Sequence, residues 1–260
     1  MITVNGNVVE QGHFPDKTLL LKMDKRSFND GCVDYNIKWN YENDAELFTI
    51  ICIKKHLEPK KCWLTMSYCP HARMDRVKNE EDVFTLKYFT DTINSLNFCG
   101  VSVLDPHSNV TPALLDRCSV IQPYWQIDTA INRSKAKAVC FPDEGAMKRY
   151  SDMINKPYAF CIKKRDWTTG KIQGLNLQNT EYIIGKDVLI IDDICSKGGT
   201  FYYTAKALKD AGAANIYLYV THCENTILEG ELLTSGLVEK VYTTNSIFTK
   251  KHEKIEVFEL

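Results

Sequence analysis

Residues 188–200 read VLIIDDICSKGGT. An apolar run with the composition of a buried strand ends in two adjacent carboxylates, Asp192 and Asp193. A short loop carrying Gly198 and Gly199 follows, and Thr200 opens a helix-like stretch. In open α/β sheets, ligands bind outside the carboxyl ends of the strands. Paired glycines let backbone N–H groups approach a phosphate closely, and a helix N-terminus adds partial positive charge. Carboxylates beside such a cradle suit sugar hydroxyls or a divalent cation. The order G-x-x-x-x-G-K-[ST] is absent, so this is not a Walker A loop.

Elements able to position these residues recur along the chain. Residues 61–68 (KCWLTMSY), 100–105 (GVSVLD), 138–141, 158–162, 187–191 and 216–220 (IYLYV) read as buried strands. Between them lie helical patterns. In 82–96 the apolar residues Val83, Leu86, Phe89, Ile93 and Leu96 share one face, and in 200–211 Ala205, Leu208 and Ala211 do so. Residues 145–154 are helix-like, and 43–57 open with an Asn43-Asp44 cap signal and stop before Pro59. Continuous apolar strands alternating with helices predict an α/β protein whose parallel sheets are covered on both faces. A boundary is expected near 123–128, giving domains 1–125 and 126–260.

Composition narrows the classes. Across 260 residues, 32 Lys+Arg balance 33 Asp+Glu, for a net charge of −1, which argues against a coat for nucleic acid or an anionic membrane. Aromatics at 11% and apolar segments throughout oppose disorder. No apolar run has the length of a membrane span, and MITVNGNVVEQGHF lacks the layout of a signal peptide. The ten cysteines show no C-x-x-C spacing, and several sit inside strand-like runs such as KAVCF and AFCI. They read as reduced, mostly buried thiols of a cytoplasmic protein. The sequons at Asn109 and Asn132 then carry no meaning.

Segment 188–200 resembles the phosphoribosyl-binding motif of type I phosphoribosyltransferases: a hydrophobic run, two acidic residues, two variable positions and a T/S-G-G-T-like loop. The resemblance implies that Asp192 and Asp193 hold the ribose 2- and 3-hydroxyls. Ser196, Lys197, Gly198, Gly199 and Thr200 would then surround the 5-phosphate.

Other segments resemble one branch, the ribose-phosphate diphosphokinase (PRPP synthetase) family. SYCPHARMDR at 67–76 is similar to its P-Y-x-x-Y-A-R-Q-D-R, which implies that Arg73, Asp75 and Arg76 bind ATP. Guanidinium groups pair bidentately with phosphate oxygens. VLDPHS resembles V-D-L-H, and FPDEG resembles S-P-D-x-G, placing His107 and Asp143 at a Mg²⁺ site. IKKR at 162–165 resembles the D-K-R-R of a catalytic loop, which implies that Lys164 is catalytic and that the second catalytic cation is either supplied by Arg165 or lost. Phe14 and Asp16 match the start of F-S-D-G-E, which contacts the adenine of ATP on a neighbouring subunit. The motifs fall in family order over residues 10–245. The sequence departs at Thr18, where the family has Glu, at Asp166, where Arg is usual, and at Ser196-Lys197, where the loop has Asp-Thr. NVTPALL replaces Q-I-Q-G-F-F, and the chain stops soon after KIEVFEL, where typical members continue into a further helix.

The resemblance implies two tandem phosphoribosyltransferase-like domains, each a mainly parallel sheet flanked by helices. The first would serve the ATP polyphosphate and the second the ribose phosphate. The implied activity is Mg²⁺-dependent transfer of the β,γ-diphosphate of ATP to the anomeric hydroxyl of ribose 5-phosphate, releasing AMP. Three alternatives stand beside it. One is the same chemistry on ADP-ribose, motivated by Ser196 and Lys197. The second is a PRPP-consuming base phosphoribosyltransferase, and the third a non-catalytic regulatory homologue. Family members assemble with shared ATP sites, so a homo-oligomer is expected, without nucleic-acid or membrane partners.

Overall fold

The computed structural model describes residues 1–24, 34–58, 61–165 and 172–260, with backbone alone at 163–165 and 172–174. The chain divides into two units, Met1–Gln122 and Pro123–Leu260. The first contains β1 (Ile2–Val4), β2 (Asn7–Val8), β3 (Gln11–His13), β4 (Leu19–Leu21), β5 (Asp34–Trp39), α1 (Ala45–Leu57) and β6 (Lys61–Met66). It continues through α2 (Thr85–Ser95), β7 (Gly100–Leu104), α3 (Val110–Leu114) and β8 (Cys118–Ile121). Its six-stranded sheet has the order β2-β1-β5-β6-β7-β8. The strands from β5 to β8 run parallel, while β1 joins β5 antiparallel. Strands β3 and β4 form a separate hairpin.

The second unit contains α4 (Tyr124–Ser134), β9 (Ala138–Phe141), α5 (Glu144–Tyr150), β10 (Tyr158–Arg165), β11 (Ile172–Gln178) and β12 (Val188–Cys195). After these come α6 (Gly199–Asp210), β13 (Ile216–Cys223), β14 (Lys240–Thr244) and β15 (Ile255–Phe258). Its sheet order is β11-β10-β9-β12-β13-β14-β15, parallel except for β11. From β9 the chain proceeds outward through β10, then returns beside β9 as β12 and proceeds the other way. The β9/β12 pair is therefore the switch point, where strand ends splay and leave a crevice for ligand.

Packing explains the apolar strands. Along β12, Val188 and Ile190 pack with Phe201, Ala205 and Leu208 of α6, while Leu189 and Ile191 face Ile127, Ala130, Ala146 and Tyr150 from α4 and α5. Both faces are covered, so neither face of the strand needs polar residues.

Several expected boundaries move for local reasons. The division falls at 122/123, at the start of the expected 123–128: Pro123 stands before the first helical residue of α4, and a cut at 125/126 would sever its first turn. Helix α2 begins at Thr85 rather than 82, because the Asp82 carboxylate accepts from the amides of Lys78 and Asn79 in a preceding turn. Helix α5 ends at Tyr150 and tightens into a 3-10 turn at Ser151–Met153. Strand β12 runs past 191 to Cys195, so the acidic pair belongs to the strand itself. Among the described residues, no helix is long and apolar enough to cross a membrane.

Candidate functional site

In the second unit, β9 ends just before Asp143, and β12 carries Asp192 and Asp193 at the same switch point. Asp143 caps α5: its Oδ1 accepts from the Ala146 amide at 2.9 Å. Asp193 is buried at 3% exposure. Arg149, from α5, brings its Nη1 to 3.4 Å from Asp193 Oδ2 and sits over the Tyr150 ring, 5.6 Å from its centroid. Asp192 is half-buried, and its Oδ1 accepts from the Asp193 amide at 2.9 Å. Its carboxyl is pushed well above the ordinary carboxylate range. Burial strips its water, and the neighbouring charges of Asp193 and Asp143 oppose its own. A group crowded in this way gains from hydroxyl donors or a cation brought to it.

The glycine loop completes this end of the sheet. Gly198 has φ +82°, the left-handed region that residues with a side chain rarely enter. Helix α6 starts at Gly199, one residue before the expected Thr200. Its first internal bond runs from the Tyr202 amide to the Gly198 carbonyl at 2.9 Å. The amides of Gly199, Thr200 and Phe201 therefore have no acceptor within the helix, as in any first turn. Together with the helix dipole they form an anion cradle. The Lys197 ammonium, on an exposed side chain, pairs with Glu229 at 3.2 Å. The Cys195 thiol contacts Cys223 on β13, and that contact together with burial raises it well above its ordinary value.

In the first unit, the segment after β6 meets the segment after β7. Asp75 is buried at 7% exposure. It accepts from Arg76 Nε at 2.6 Å and Nη2 at 2.8 Å. These bonds lead in holding its carboxyl down at about 2, against a desolvation cost, with the Ser108 hydroxyl and the charge of nearby His107 assisting. Asp75 is thus the internal tie joining ARMDR to DPHS. Arg73 and Arg76 are exposed, and His107 is partly buried. At the β3–β4 hairpin, Phe14 is 49% exposed. Asp16 accepts from the Thr18 hydroxyl at 2.7 Å and the Thr18 amide at 3.0 Å, which lowers its pKa. Thr18, which stands where the family has Glu, thereby orients Asp16.

Lys164 and Arg165 end β10 beside a register irregularity with β11. Their side chains and Asp166 lie outside the described residues. Two features escaped sequence reasoning. Arg149 is six residues after Asp143 on the helix that Asp143 caps, and no local pattern distinguishes it from a surface arginine. Glu229 reaches Lys197 from 32 residues away, and nothing in the sequence announces that pairing.

A parallel sheet with its switch point at an acidic pair, followed by a glycine loop and helix, is the architecture of a phosphoribosyltransferase-like domain. The phosphoribosyl transferase domain family matches residues 125–235. The chain is 27% identical over 208 residues to the ribose-phosphate pyrophosphokinase of Sulfurisphaera tokodaii, covering 78% of this chain and 71% of that protein. With the ribose-phosphate pyrophosphokinase of Sulfolobus acidocaldarius it shares 24% over 246 residues, 92% and 84% of the two chains. The fold matches the phosphoribosylpyrophosphate synthetase of Mycobacterium smegmatis with a TM-score of 0.75 at 16% identity, over 97% and 86% of the chains. The chain is thus similar to ribose-phosphate diphosphokinases over most of its length.

Proposed function

We propose that this protein transfers the β,γ-diphosphate of ATP to the anomeric hydroxyl of ribose 5-phosphate, giving PRPP and AMP. The observation that carries this reading is the second unit's switch point, with Asp192 and Asp193 beside the α6 amide cradle. Carboxylates there accept from the ribose 2- and 3-hydroxyls, and the cradle takes the 5-phosphate. The anomeric oxygen attacks the β-phosphorus in line. The bond from that phosphorus to the α,β-bridging oxygen breaks, AMP departs, and the hydroxyl proton passes to solvent. Arg73 and Arg76 are assigned to the triphosphate, and Phe14 and Asp16 to adenine on a neighbouring subunit. Asp75 holds Arg76 in place from within. Lys164 and Arg165 stabilise the charge developing on the transferred group.

Mg²⁺ belongs to the reading as cofactor. Among the described residues, no three His, Cys, Asp or Glu side chains gather into a metal cage. Mg²⁺ takes one or two protein oxygens, waters and substrate phosphates. The crowding of Asp192 by Asp193 and Asp143 fits a site that gains from a cation. Asp143 of the second unit and His107 of the first are each assigned as a Mg²⁺ ligand within its own unit. When bound, the ion would offset phosphate charge.

ADP-ribose is the second acceptor we weigh, favoured by one observation: the Lys197 side chain is 68% exposed at the loop. An esterified 5-phosphate running outward would meet that ammonium. A homo-oligomer with shared ATP sites and a cytoplasmic setting complete the reading. The test is AMP release from ATP and Mg²⁺ with each acceptor in turn. Release with ribose 5-phosphate supports the main reading, and release with ADP-ribose alone replaces it with the second. No release with either, with ATP binding intact, refutes diphosphotransfer.

A further inference from the structure

The chain after β13 packs against the phosphate loop at Cys195, Lys197 and Gly198. The Glu224 amide donates to the Cys195 carbonyl at 2.8 Å. Glu229, at the end of a 3-10 turn (Asn225–Glu229), pairs with Lys197. A Cβ built on Gly230 would lie 1.8 Å from the Lys197 carbonyl oxygen and 2.9 Å from its carbonyl carbon. Leu232 lies 3.1 Å from where a Gly198 Cβ would stand. The segment is itself anchored, with Ile227 and Leu232 fully buried. Asn225 exchanges side-chain bonds with Thr249, at 2.9 Å to its hydroxyl and 3.1 Å from its amide.

Glycine at 230 is not demanded by torsion. Its φ of −93° and ψ of 171° are open to any residue. Glycine is demanded by contact, because the Lys197 carbonyl occupies the space a side chain would need. In a trans peptide the C=O and the following N–H point to opposite sides. A Lys197 carbonyl seated on Gly230 therefore aims the Gly198 N–H away from the segment. Leu232 against Gly198 holds the next residue in its left-handed conformation. An anion cradle depends on the direction of such amides.

We propose that the segment Glu229–Leu232 is the positioning element of the phosphate loop, with Gly230 setting affinity for the sugar 5-phosphate. This rests on the ribose 5-phosphate reading given above. The test measures ribose 5-phosphate binding by calorimetry, and KM for each substrate from AMP release, in wild type and Gly230→Ala. The variant should bind ribose 5-phosphate at least tenfold more weakly, with KM for ATP within twofold. A merely structural role would instead weaken both substrates together. Should Gly230→Ala not fold, Leu232→Ile carries the same test, since it keeps volume but moves a branch toward Gly198. There a threefold or greater selective loss is expected. Unchanged ribose 5-phosphate affinity, or equal losses for both substrates, overturns the proposal. Wild type that binds ribose 5-phosphate without releasing AMP refutes the activity alone, and the affinity comparison still judges the loop.

Discussion

Replacing Asp75 by Asn tests whether the first unit is tied together at ARMDR. The carboxyl is held at about 2 chiefly by its bonds to Arg76, with help from Ser108 and His107. A depression of that size from an ordinary Asp corresponds to about 2 kcal/mol. The Arg76 side chain is 62% exposed, so solvent screening reduces the net worth to about 1 kcal/mol. The sign follows from the lowered pKa. The contribution is full above the unfolded-state value, near 4, and fades as pH falls toward 2. For a unit of 122 residues, about 1 kcal/mol lowers the melting temperature by about 4 °C. Scanning calorimetry of the full chain at pH 7 should show the Met1–Gln122 transition lowered by that amount in Asp75→Asn. The gap between variant and wild type should shrink below pH 4. An unchanged transition at pH 7, or a gap that holds constant down to pH 2.5, refutes the argument.

Four further outcomes are expected. Asp192→Asn should raise the melting temperature at pH 7, because it removes a carboxylate whose folded pKa is raised. Ribose 5-phosphate binding should weaken at the same time, and a variant both less stable and fully active contradicts the reading. In wild type, binding of ribose 5-phosphate should weaken as pH falls, since protonation of Asp192 competes with its acceptor role, and a flat profile between pH 8 and pH 5 opposes this. Lys164→Ala should lower kcat by orders of magnitude with little change in ATP affinity, as for a group acting in the transition state; unchanged turnover removes Lys164 from catalysis. Gly198→Ala should cost about 1–2 kcal/mol by urea denaturation, from the strain of its positive φ, and the nearby Leu232 leaves no relief.

What could be read from the sequence was what lies contiguous in it. VLIIDDICSKGGT contains its strand, its acids and its loop within thirteen residues, and the structure adds only that the strand runs to Cys195 and the helix begins at Gly199. The α/β alternation was equally legible in the second unit, because strands covered on both faces, such as β9 and the start of β12, are near-continuous apolar runs. The short strands were not. β1, β2 and β8 have two to four residues, too few for a period to emerge. β1, β2 and β11 are antiparallel additions at one side of their sheets, fixed by their partners rather than by their own composition.

The sequence by itself thus determined the class of chemistry: acids, a phosphate loop and arginines in family order. Only the tertiary structure decided how those groups are held. Arg149 reaches Asp193 across 44 residues of chain, and Gly230 makes room for a carbonyl 33 residues earlier. Asp75 faces inward to bind one loop to another instead of outward to a ligand. Each depends on distances between segments remote in sequence. Local propensity carries no record of those distances, which the packing of helices on the sheet sets.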